Sequence, residues 1–230
     1  MHIALSQRWE AALMEKYPDY ETYRALYARY HERGVADLLR FLEPINGVHA
    51  MDLCGGDGRL TSMMLASGAQ SILLVDAERK MIPPTLWQHK KVRVVIKEIH
   101  FALSDVIKRG ELFDRIACQQ AVNYWLDEET ARSVAIALKP NGTFVFNTFH
   151  QQPPEKPRVL EYDLGGHAFV ETSWLVGDKV HHLQVRDGMN PHHTVFLWLP
   201  AERLRKLLEP HFVVHEDRHK KTSVYRCEKK

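Results

Sequence analysis

The chain contains 230 residues, of which 45% are hydrophobic and 26% are charged, values that are ordinary for a soluble globular protein. Lys and Arg total 31 and Asp and Glu total 29, so the formal net charge of +2 gives no reason to expect nucleic acid or a membrane surface as a partner. We expect neither a membrane-spanning stretch nor a cleaved signal peptide. Three widely separated cysteines do not suit a disulfide framework, which predicts a reducing, cytoplasmic location.

Residues 1–47 are predicted to form an N-terminal helical cap. Apolar residues recur at roughly helical spacing through residues 6–42. Gly34 is expected to interrupt this run, and Pro44 and Gly47 are expected to end it. The spacing therefore predicts helices rather than strands in this segment.

Residues 48–150 are predicted to form a parallel α/β core. Continuous apolar runs alternate with helical patterns, as expected for βαβ units whose sheet is covered on both faces. The predicted strands are residues 48–54, 72–75, 92–96, 113–119 and 143–149. Asp127 is predicted to cap a helix that reaches about Leu138, and residues 139–142 are predicted to form a turn.

The pattern changes after a proline-rich break at residues 151–157. Residues 158–199 are strand-like, with turn signals between the strands, which predicts an antiparallel β insertion spanning 151–199. Residues 200–230 contain an amphipathic helix and two further strands that are expected to complete the core as a hairpin. The whole chain is thus interpreted as one domain with an insertion.

A glycine-rich segment, Asp52-Leu-Cys-Gly-Gly-Asp-Gly58, directly follows the first predicted strand and precedes a helix. Glycines at such a turn let the backbone approach a ligand without Cβ clashes. Asp76 ends the second strand, where an acid can accept hydrogen bonds from ribose hydroxyls. A dinucleotide site requires a third glycine where this chain has Thr61, so the pattern favours a nucleoside cofactor without a pyrophosphate.

The segment resembles the acidic-glycine motif of class I S-adenosylmethionine-dependent methyltransferases, D/E-x-G/A-x-G-x-G, with Cys54 at the first small position. Residues 76–81 are similar to the D-x-S-x-x-M that follows the family's second strand, and residues 138–142 to its L-K-P-G-G turn. The resemblance implies a seven-stranded Rossmann-like α/β sheet, mostly parallel with a reversed last strand. It also implies S-adenosylmethionine as the cofactor and S-adenosylhomocysteine as its product. Pro83-Pro84 departs from the family by breaking the helix after the second strand.

The resemblance implies a set of cofactor-binding residues. These are Asp52, Gly55, Gly56, Gly58, Asp76, Met81, Glu98, Ile99, Gln119 and Tyr27. The loop at 52–58 would hold the methionine end, and Asp76 the ribose. Glu98 with Ile99 would bind the adenine, and Gln119 would approach the reacting centre.

Two residues near the expected methyl group are candidates for catalysis. His150 follows the fifth strand and could act as a general base, and Tyr124 could orient the acceptor or, with Trp125, contact a cation. Residues 118–125 lack the [DNS]-P-P-[YFW] motif of adenine and glutamine amino-methyltransferases. In outline the chain is similar to glycine-type and amino-sugar N-methyltransferases, which implies N- or O-methylation of a small molecule.

Alternatives stay open at this stage. The acceptor could be a protein or an RNA, or the fold could be a non-catalytic cofactor-binding module. The insertion could cover the acceptor as a lid, with polar residues such as His167, Glu171 and His182 facing the sulfur end of the cofactor, or it could form a homodimer interface. We expect no metal, because adjacent histidines on a strand point to opposite faces, although a site drawing on His167 and on the pairs 181–182 and 192–193 is conceivable.

Overall fold

The computed structural model describes residues 34–164, 167–186, 191–219 and 222–230. The described chain falls into two compact units. The larger unit contains residues 34–151 and 200–230, and the smaller unit contains the described residues of 152–199.

The helices and strands alternate through the larger unit, and the smaller unit contains strands. The described α-helices are α1 (34–42), α2 (Arg59–Ala66), α3 (Pro84–Trp87), α4 (Ile99–Lys108), α5 (Glu128–Ala137) and α6 (Ala201–Leu208). The strands are β1 (His49–Leu53), β2 (Ser71–Asp76), β3 (Val92–Ile96), β4 (Phe113–Gln119), β5 (Leu138–Phe149), β6 (Arg158–Leu164), β7 (His167–Val176), β8 (Lys179–Arg186), β9 (His192–Leu197), β10 (Phe212–Arg218) and β11 (Thr222–Lys229). Short 3₁₀ turns occur at Arg79–Met81 and Val122–Tyr124.

The larger unit is built on a seven-stranded sheet with the order β10-β11-β5-β4-β1-β2-β3. The pairs among β1 to β5 are parallel, whereas β11 is antiparallel to both β5 and β10. The predicted mostly parallel Rossmann-like sheet with a reversed strand is therefore confirmed, as is the hairpin of the last two strands.

Helix α1 packs against the sheet through its apolar side chains. Val35, Leu38 and Leu42 are completely buried and belong to one core cluster with residues of β1 and α2. Gly34 is the first described residue of α1, and the residues before it, which would show whether it interrupts the helical run, lie outside the described residues. The strands β1 and β2 are buried along nearly their whole length, which explains their continuous apolar sequences.

The predicted turn at residues 139–142 is instead an irregularity within β5. Leu138 already pairs with Phe113, and the next pair joins Thr143 to Arg115, so five steps along β5 match two along β4. The extra residues bulge out of the strand, with Asn141 at a φ of 63°. The strand therefore begins before the turn signal, because Leu138 is fully buried and remains in the sheet.

Local signals at helix starts agree with the structure. The Asp127 side chain accepts a hydrogen bond from the Thr130 amide at 2.8 Å, which confirms the predicted cap of α5. Pro84 occupies the first turn of α3, a position where its missing amide hydrogen costs nothing, and this helix has four residues. The proline pair thus shortens the helix after β2, as predicted.

The smaller unit contains a four-stranded antiparallel sheet in the order β6-β7-β8-β9. The predicted antiparallel meander is confirmed. Phe169 and Val180 are almost fully buried, and Gly177 supplies the turn between β7 and β8 at a φ of 63°. In the part of the chain that the structure describes, no helix is long and apolar enough to cross a membrane.

Candidate active site

The carboxyl ends of the parallel strands converge on one edge of the seven-stranded sheet. Open α/β sheets bind ligands at this edge, where the loops that follow neighbouring strands meet. Residues 52–58, which we call the acid-glycine loop, begin with the last two residues of β1 here, and Asp76 and Gln119 end β2 and β4. The fold thus brings together three of the segments that the sequence singled out.

Asp52 anchors the acid-glycine loop from inside the core. Its side chain is completely buried, and its Oδ2 accepts a hydrogen bond from Thr61 Oγ1 at 2.6 Å. Its Oδ1 is buried as well and has no hydrogen-bond partner among the described residues. Burial raises the pKa of Asp52 from 3.8 to about 7, although the Thr61 hydrogen bonds oppose this.

Asp76 joins the acid-glycine loop to the end of β2. Its Oδ2 accepts from the Gly56 amide at 2.8 Å, and its Oδ1 accepts from the Glu78 amide at 2.8 Å. The Gly55 amide also donates to the Val75 carbonyl at 3.1 Å. The loop and the ribose-binding candidate Asp76 therefore form one bonded structure.

The glycines of the loop are needed for two different reasons. Gly56 and Gly58 have φ values of 49° and 70°, which favour glycine. A Cβ on Gly58 would overlap with Leu86 of α3, whereas a Cβ on Gly56 would find, among the described residues, only the Cys54 carbonyl oxygen within 4 Å, at 3.9 Å. Gly58 thus permits close packing inside the protein, while Gly56 leaves the loop surface open.

Cys54 occupies the position at which the resembling family has a small residue. It adopts a φ of 55°, so a non-glycine side chain is held in the left-handed region. The hydrogen bond between the Cys54 thiol, as donor, and Cys118, together with burial, raises the pKa of Cys54 well above its ordinary value. Cys118 itself is fully buried in β4 and packs beside the loop.

Asn147 was missed by the sequence analysis and lies next to the end of β4. Its Oδ1 accepts from the Gln120 amide at 2.8 Å, and Gln120 adopts a φ of 52°. A Cβ on Gly34 would lie 3.1 Å from Asn147 Nδ2 and 3.9 Å from the side-chain nitrogens of Gln119 and Gln120. Carboxamides from β4 and β5 thus converge on the start of the described part of α1. Asn147 is 1% exposed, and the available sequence signal was a carboxamide inside the mainly apolar run of β5.

Aromatic and polar residues follow the ends of β4 and β5. Tyr124 is 55% exposed, and the neighbouring Asn123 accepts from Thr148 Oγ1 at 2.5 Å, which ties the segment after β4 to β5. Trp125 Nε1 and His150 Nδ1 are buried without a hydrogen-bond partner in the described parts of the chain. The candidate catalytic residues therefore lie at the expected sheet edge.

The remaining predicted cofactor residues have different surroundings. Met81 is half-buried in the 3₁₀ turn after β2. Glu98 is the N-cap of α4 and its side chain is 68% exposed, whereas Ile99 is 6% exposed and packs in the core. Tyr27 lies outside the described residues.

Histidines of the smaller unit divide between the two faces of its sheet, as predicted from strand geometry. His181 Nδ1 lies 3.2 Å from His193 Nε2, and both rings stack with Trp174. His182 Nδ1 instead lies 2.8 Å from Ser173 Oγ. Across the described residues, no group of three or more His, Cys, Asp or Glu side chains could hold a metal ion, and the side chains of His167 and His192 lie outside that set.

Solved protein structures are similar to this chain, although no protein-family model and no curated protein sequence matches its sequence significantly. An S-adenosylmethionine-dependent methyltransferase from Clostridium acetobutylicum is 17% identical with a TM-score of 0.68, covering 91% of this chain and 98% of its own. An amino pentose methyltransferase from Micromonospora echinaspora, solved with S-adenosylmethionine bound, is 13% identical with a TM-score of 0.67, covering 94% and 100%.

A third similar structure contains both a methyl acceptor and the cofactor product. It is the 1,6-didemethyltoxoflavin-N1-methyltransferase of Burkholderia thailandensis, with bound 1,6-didemethyltoxoflavin and S-adenosylhomocysteine. It is 17% identical with a TM-score of 0.56, and the alignment covers 91% of this chain and 83% of that one. These similarities confirm the predicted Rossmann-like α/β fold, whereas residues 1–33 of the predicted helical cap lie outside the described residues.

Proposed function

We propose that this protein is an S-adenosylmethionine-dependent methyltransferase that methylates a nitrogen or an oxygen of a small molecule. The observation that carries the proposal is the bonded acid-glycine loop, in which Asp76 of β2 holds the Gly56 amide. Thr61 occupies the place at which a dinucleotide-binding loop has its third glycine. Because Thr61 is fully buried and bonded to Asp52, the loop favours a nucleoside cofactor without a pyrophosphate.

The loop offers groups that fit this cofactor. Asp52 Oδ1 is a buried acceptor that no described residue satisfies, which suits a polar group at the methionine end. The surface of Gly56 is open for close approach of a ligand. An ionised carboxylate has about four lone-pair sites, so Asp76 can hold ribose hydroxyls in addition to two backbone amides. We propose further cofactor contacts from Met81, Glu98, Ile99, Gln119 and Tyr27.

The bound cofactor would supply a methyl group that its sulfonium has already activated for transfer. The protein then has to align the acceptor, exclude water and receive any proton that the acceptor loses. His150 Nδ1 is inaccessible, which leaves Nε2 as the nitrogen that can receive this proton. We propose His150 as the general base, with Tyr124 orienting the acceptor.

The small-molecule acceptor is supported by the similar structures and by the insertion. Two of the similar proteins are an amino pentose methyltransferase and a 1,6-didemethyltoxoflavin methyltransferase, so small acceptors occur on this fold. Glu171 and His182 occupy the same face of the insertion sheet, because Glu171 pairs with Gln184, two residues from His182. We propose that the insertion contributes acceptor contacts through this face. The free state of the three cysteines supports a reducing, cytoplasmic location.

Ligand binding tests the proposed cofactor. S-adenosylhomocysteine at about 100 times its Kd should stabilise the native state by roughly 2.7 kcal/mol, which raises Tm by several degrees, and NAD should not. Asp76→Ala should weaken S-adenosylhomocysteine binding at least tenfold, since it removes charge-assisted hydrogen bonds worth about 1.5–3 kcal/mol each. Glu78→Ala is the matched control, because Glu78 is the neighbouring acid and its side chain caps the next turn at Lys80.

Turnover separates the enzyme from a non-catalytic binding module. Methyl transfer to a panel of small amines and alcohols should occur in the wild type, and His150→Ala should slow it by roughly 10²–10⁴ while S-adenosylhomocysteine affinity is kept. If the protein binds S-adenosylhomocysteine but transfers no methyl group to small molecules, proteins or RNA, the non-catalytic module is favoured. Binding of NAD in place of the adenosyl ligand would contradict the cofactor assignment.

A further inference from the structure

A cavity of about 520 Å³ lies at the amino-terminal edge of the seven-stranded sheet, opposite the edge that carries the acid-glycine loop. Its wall includes the first residues of four neighbouring parallel strands, His49, Ser71, Val92 and Phe113. Strands rise about 3.3 Å per residue, so a five-residue strand such as β1 places the two edges roughly 15 Å apart. The cavity is therefore distinct from the proposed cofactor site.

Positive charge is concentrated at this cavity. Lys90, Lys91, Arg93 and Lys139 line it together with one carboxylate, Glu111. The whole chain carries a formal net charge of only +2, so the excess of cations here is a local property. A concave surface with one sign of charge focuses the field and attracts ions of the opposite sign.

Two of these cations are already neutralised. Arg93 binds Glu111 through both terminal guanidinium nitrogens. Lys139 Nζ lies 2.9 Å from Asp114 Oδ2, and this ion pair lowers the pKa of Asp114. These pairs hold the rim of the cavity in place, and they leave the charge of the remaining two lysines unbalanced.

Lys90 and Lys91 carry the unbalanced charge. Lys91 Nζ donates to the Ala69 carbonyl oxygen at 3.1 Å, which is a neutral partner just beyond the end of α2. Neither lysine forms an ion pair with a carboxylate of the described chain. Both lysines are exposed, so they can reach an anion at a small desolvation penalty.

The rest of the wall is suited to an organic molecule. His49 Nδ1 and Ser71 Oγ lie 2.7 Å apart and present polar groups beside the lysines. Leu112 lines the same cavity and is 46% exposed, which is high for a large apolar side chain. Volumes between about 300 and 1,000 Å³ are typical of small-molecule sites. An anionic group and an apolar group could thus be bound side by side.

We propose that this cavity binds a small organic molecule that carries a phosphate group. Lys90 and Lys91 hold the phosphate, and Leu112 contacts the organic part. The near-neutral net charge of the chain argues against a nucleic acid as the ligand, because phosphate-backbone binding relies on a larger basic surface. The proposal does not depend on methyl transfer, since the two sites lie at opposite edges of the sheet.

Calorimetric titration of the full chain with phenyl phosphate tests the proposal. We expect one saturable site at low ionic strength, binding phenyl phosphate more tightly than inorganic phosphate. The double variant K90A/K91A should bind at least tenfold more weakly. The control K156A/K206A loses the same charge from exposed positions outside the cavity and should bind as the wild type does. Leu112→Ser should abolish the preference for phenyl phosphate.

Each other outcome would overturn the proposal. Absence of saturable binding, or equal weakening in both double variants, would show that the lysines attract anions without forming a site. Displacement of phenyl phosphate by S-adenosylhomocysteine would place the anion at the other edge of the sheet. A K90A/K91A variant with a lower Tm but unchanged phosphate affinity would mean that the lysines stabilise the fold, as cations near the C-terminus of a helix do, and do not bind phosphate. Lysine-dependent binding of a short RNA that exceeds phenyl phosphate binding would replace the small molecule by a nucleic acid.

Discussion

Asp52 shows how one buried residue makes the stability of this protein depend on pH. Burial raises the pKa of its carboxyl from 3.8 to about 7, so the folded protein holds this proton more tightly than the unfolded chain does. By linkage, the contribution of Asp52 to the free energy of unfolding is largest below about pH 4. It declines as the pH rises from about 4 to about 7 and stays at the lower level above that.

Asp52→Asn should remove this pH dependence, because the amide keeps an oxygen for Thr61 and has no charge. We expect the variant to be more stable than the wild type at pH 8, by at most about 4 kcal/mol, and to match it near pH 4. Urea unfolding at the two pH values measures the difference. A variant that is less stable at both pH values would contradict this expectation, because it would mean that the amide does not replace the carboxyl group in its contacts with Thr61.

The residues of the site were predictable from sequence where they are close together along the chain. The acid-glycine loop falls within seven consecutive residues, so its pattern could be recognised directly. The hydrogen bond from Gly56 to Asp76 spans 20 residues, and that from Gln120 to Asn147 spans 27. Such partners follow from strand register, which the sequence does not specify, and this is why Asn147 was missed.

At the scale of elements, α2 depends on the glycine that precedes it. Gly58 is the N-cap of α2, has a φ of 70° and receives no side-chain cap. Its hydrogen atom faces Leu86, a buried residue of α3. The start of α2 is therefore fixed by both backbone conformation and the packing of a neighbouring helix.

Gly58→Ala should destabilise the protein by more than the roughly 1–2 kcal/mol that a left-handed backbone costs a residue with a Cβ. Gly110→Ala is the matched control, because Gly110 has a φ of 65° and no described residue lies within 4 Å of an added Cβ. In a Leu86→Ala background the two substitutions should cost nearly the same, since the overlap is relieved. Equal costs in the wild-type background, measured by urea unfolding, would exclude a contribution from Leu86.

Whole elements were predicted well where the apolar pattern is continuous and capped. The strands β1 to β4 and the start of α5 at Asp127 fall where the sequence placed them. The start of β5 was predicted wrongly, because the turn signal at residues 139–142 was interpreted as the boundary before the strand. The structure keeps Leu138 in the sheet and accommodates the signal as a bulge, a choice that depends on pairing with Phe113.

At the scale of the molecule, the insertion of residues 152–199 forms a compact unit of its own. Its four strands pair with one another in a sheet separate from the seven-stranded sheet, and the larger unit has its own core clusters. Two roles were predicted for it, a lid that contributes to the acceptor site and an interface between two copies of the chain.

Deleting residues 160–197 and joining the ends with a short glycine linker distinguishes the two roles. If the insertion is a lid, methyl transfer should be lost while S-adenosylhomocysteine binding persists, because the acid-glycine loop lies in the other unit. Calorimetry and a turnover assay measure the two properties, and sedimentation reports the oligomeric state. Sustained turnover in a chain that has changed from dimer to monomer would refute the lid and identify an interface.

The position of β11 between β10 and β5 also determines when the sheet can be completed during synthesis on the ribosome. The edge of β5 has no partner strand until residues 222–229 emerge, about 80 residues after Phe149. Synthesis at about 5–20 residues per second leaves this edge open for roughly 4–16 s. During that interval Phe146 lacks Tyr225, on which its ring stacks in the finished sheet at 4.9 Å. The nascent chain therefore exposes an apolar strand edge during this interval, and unpaired edges of this kind favour aggregation.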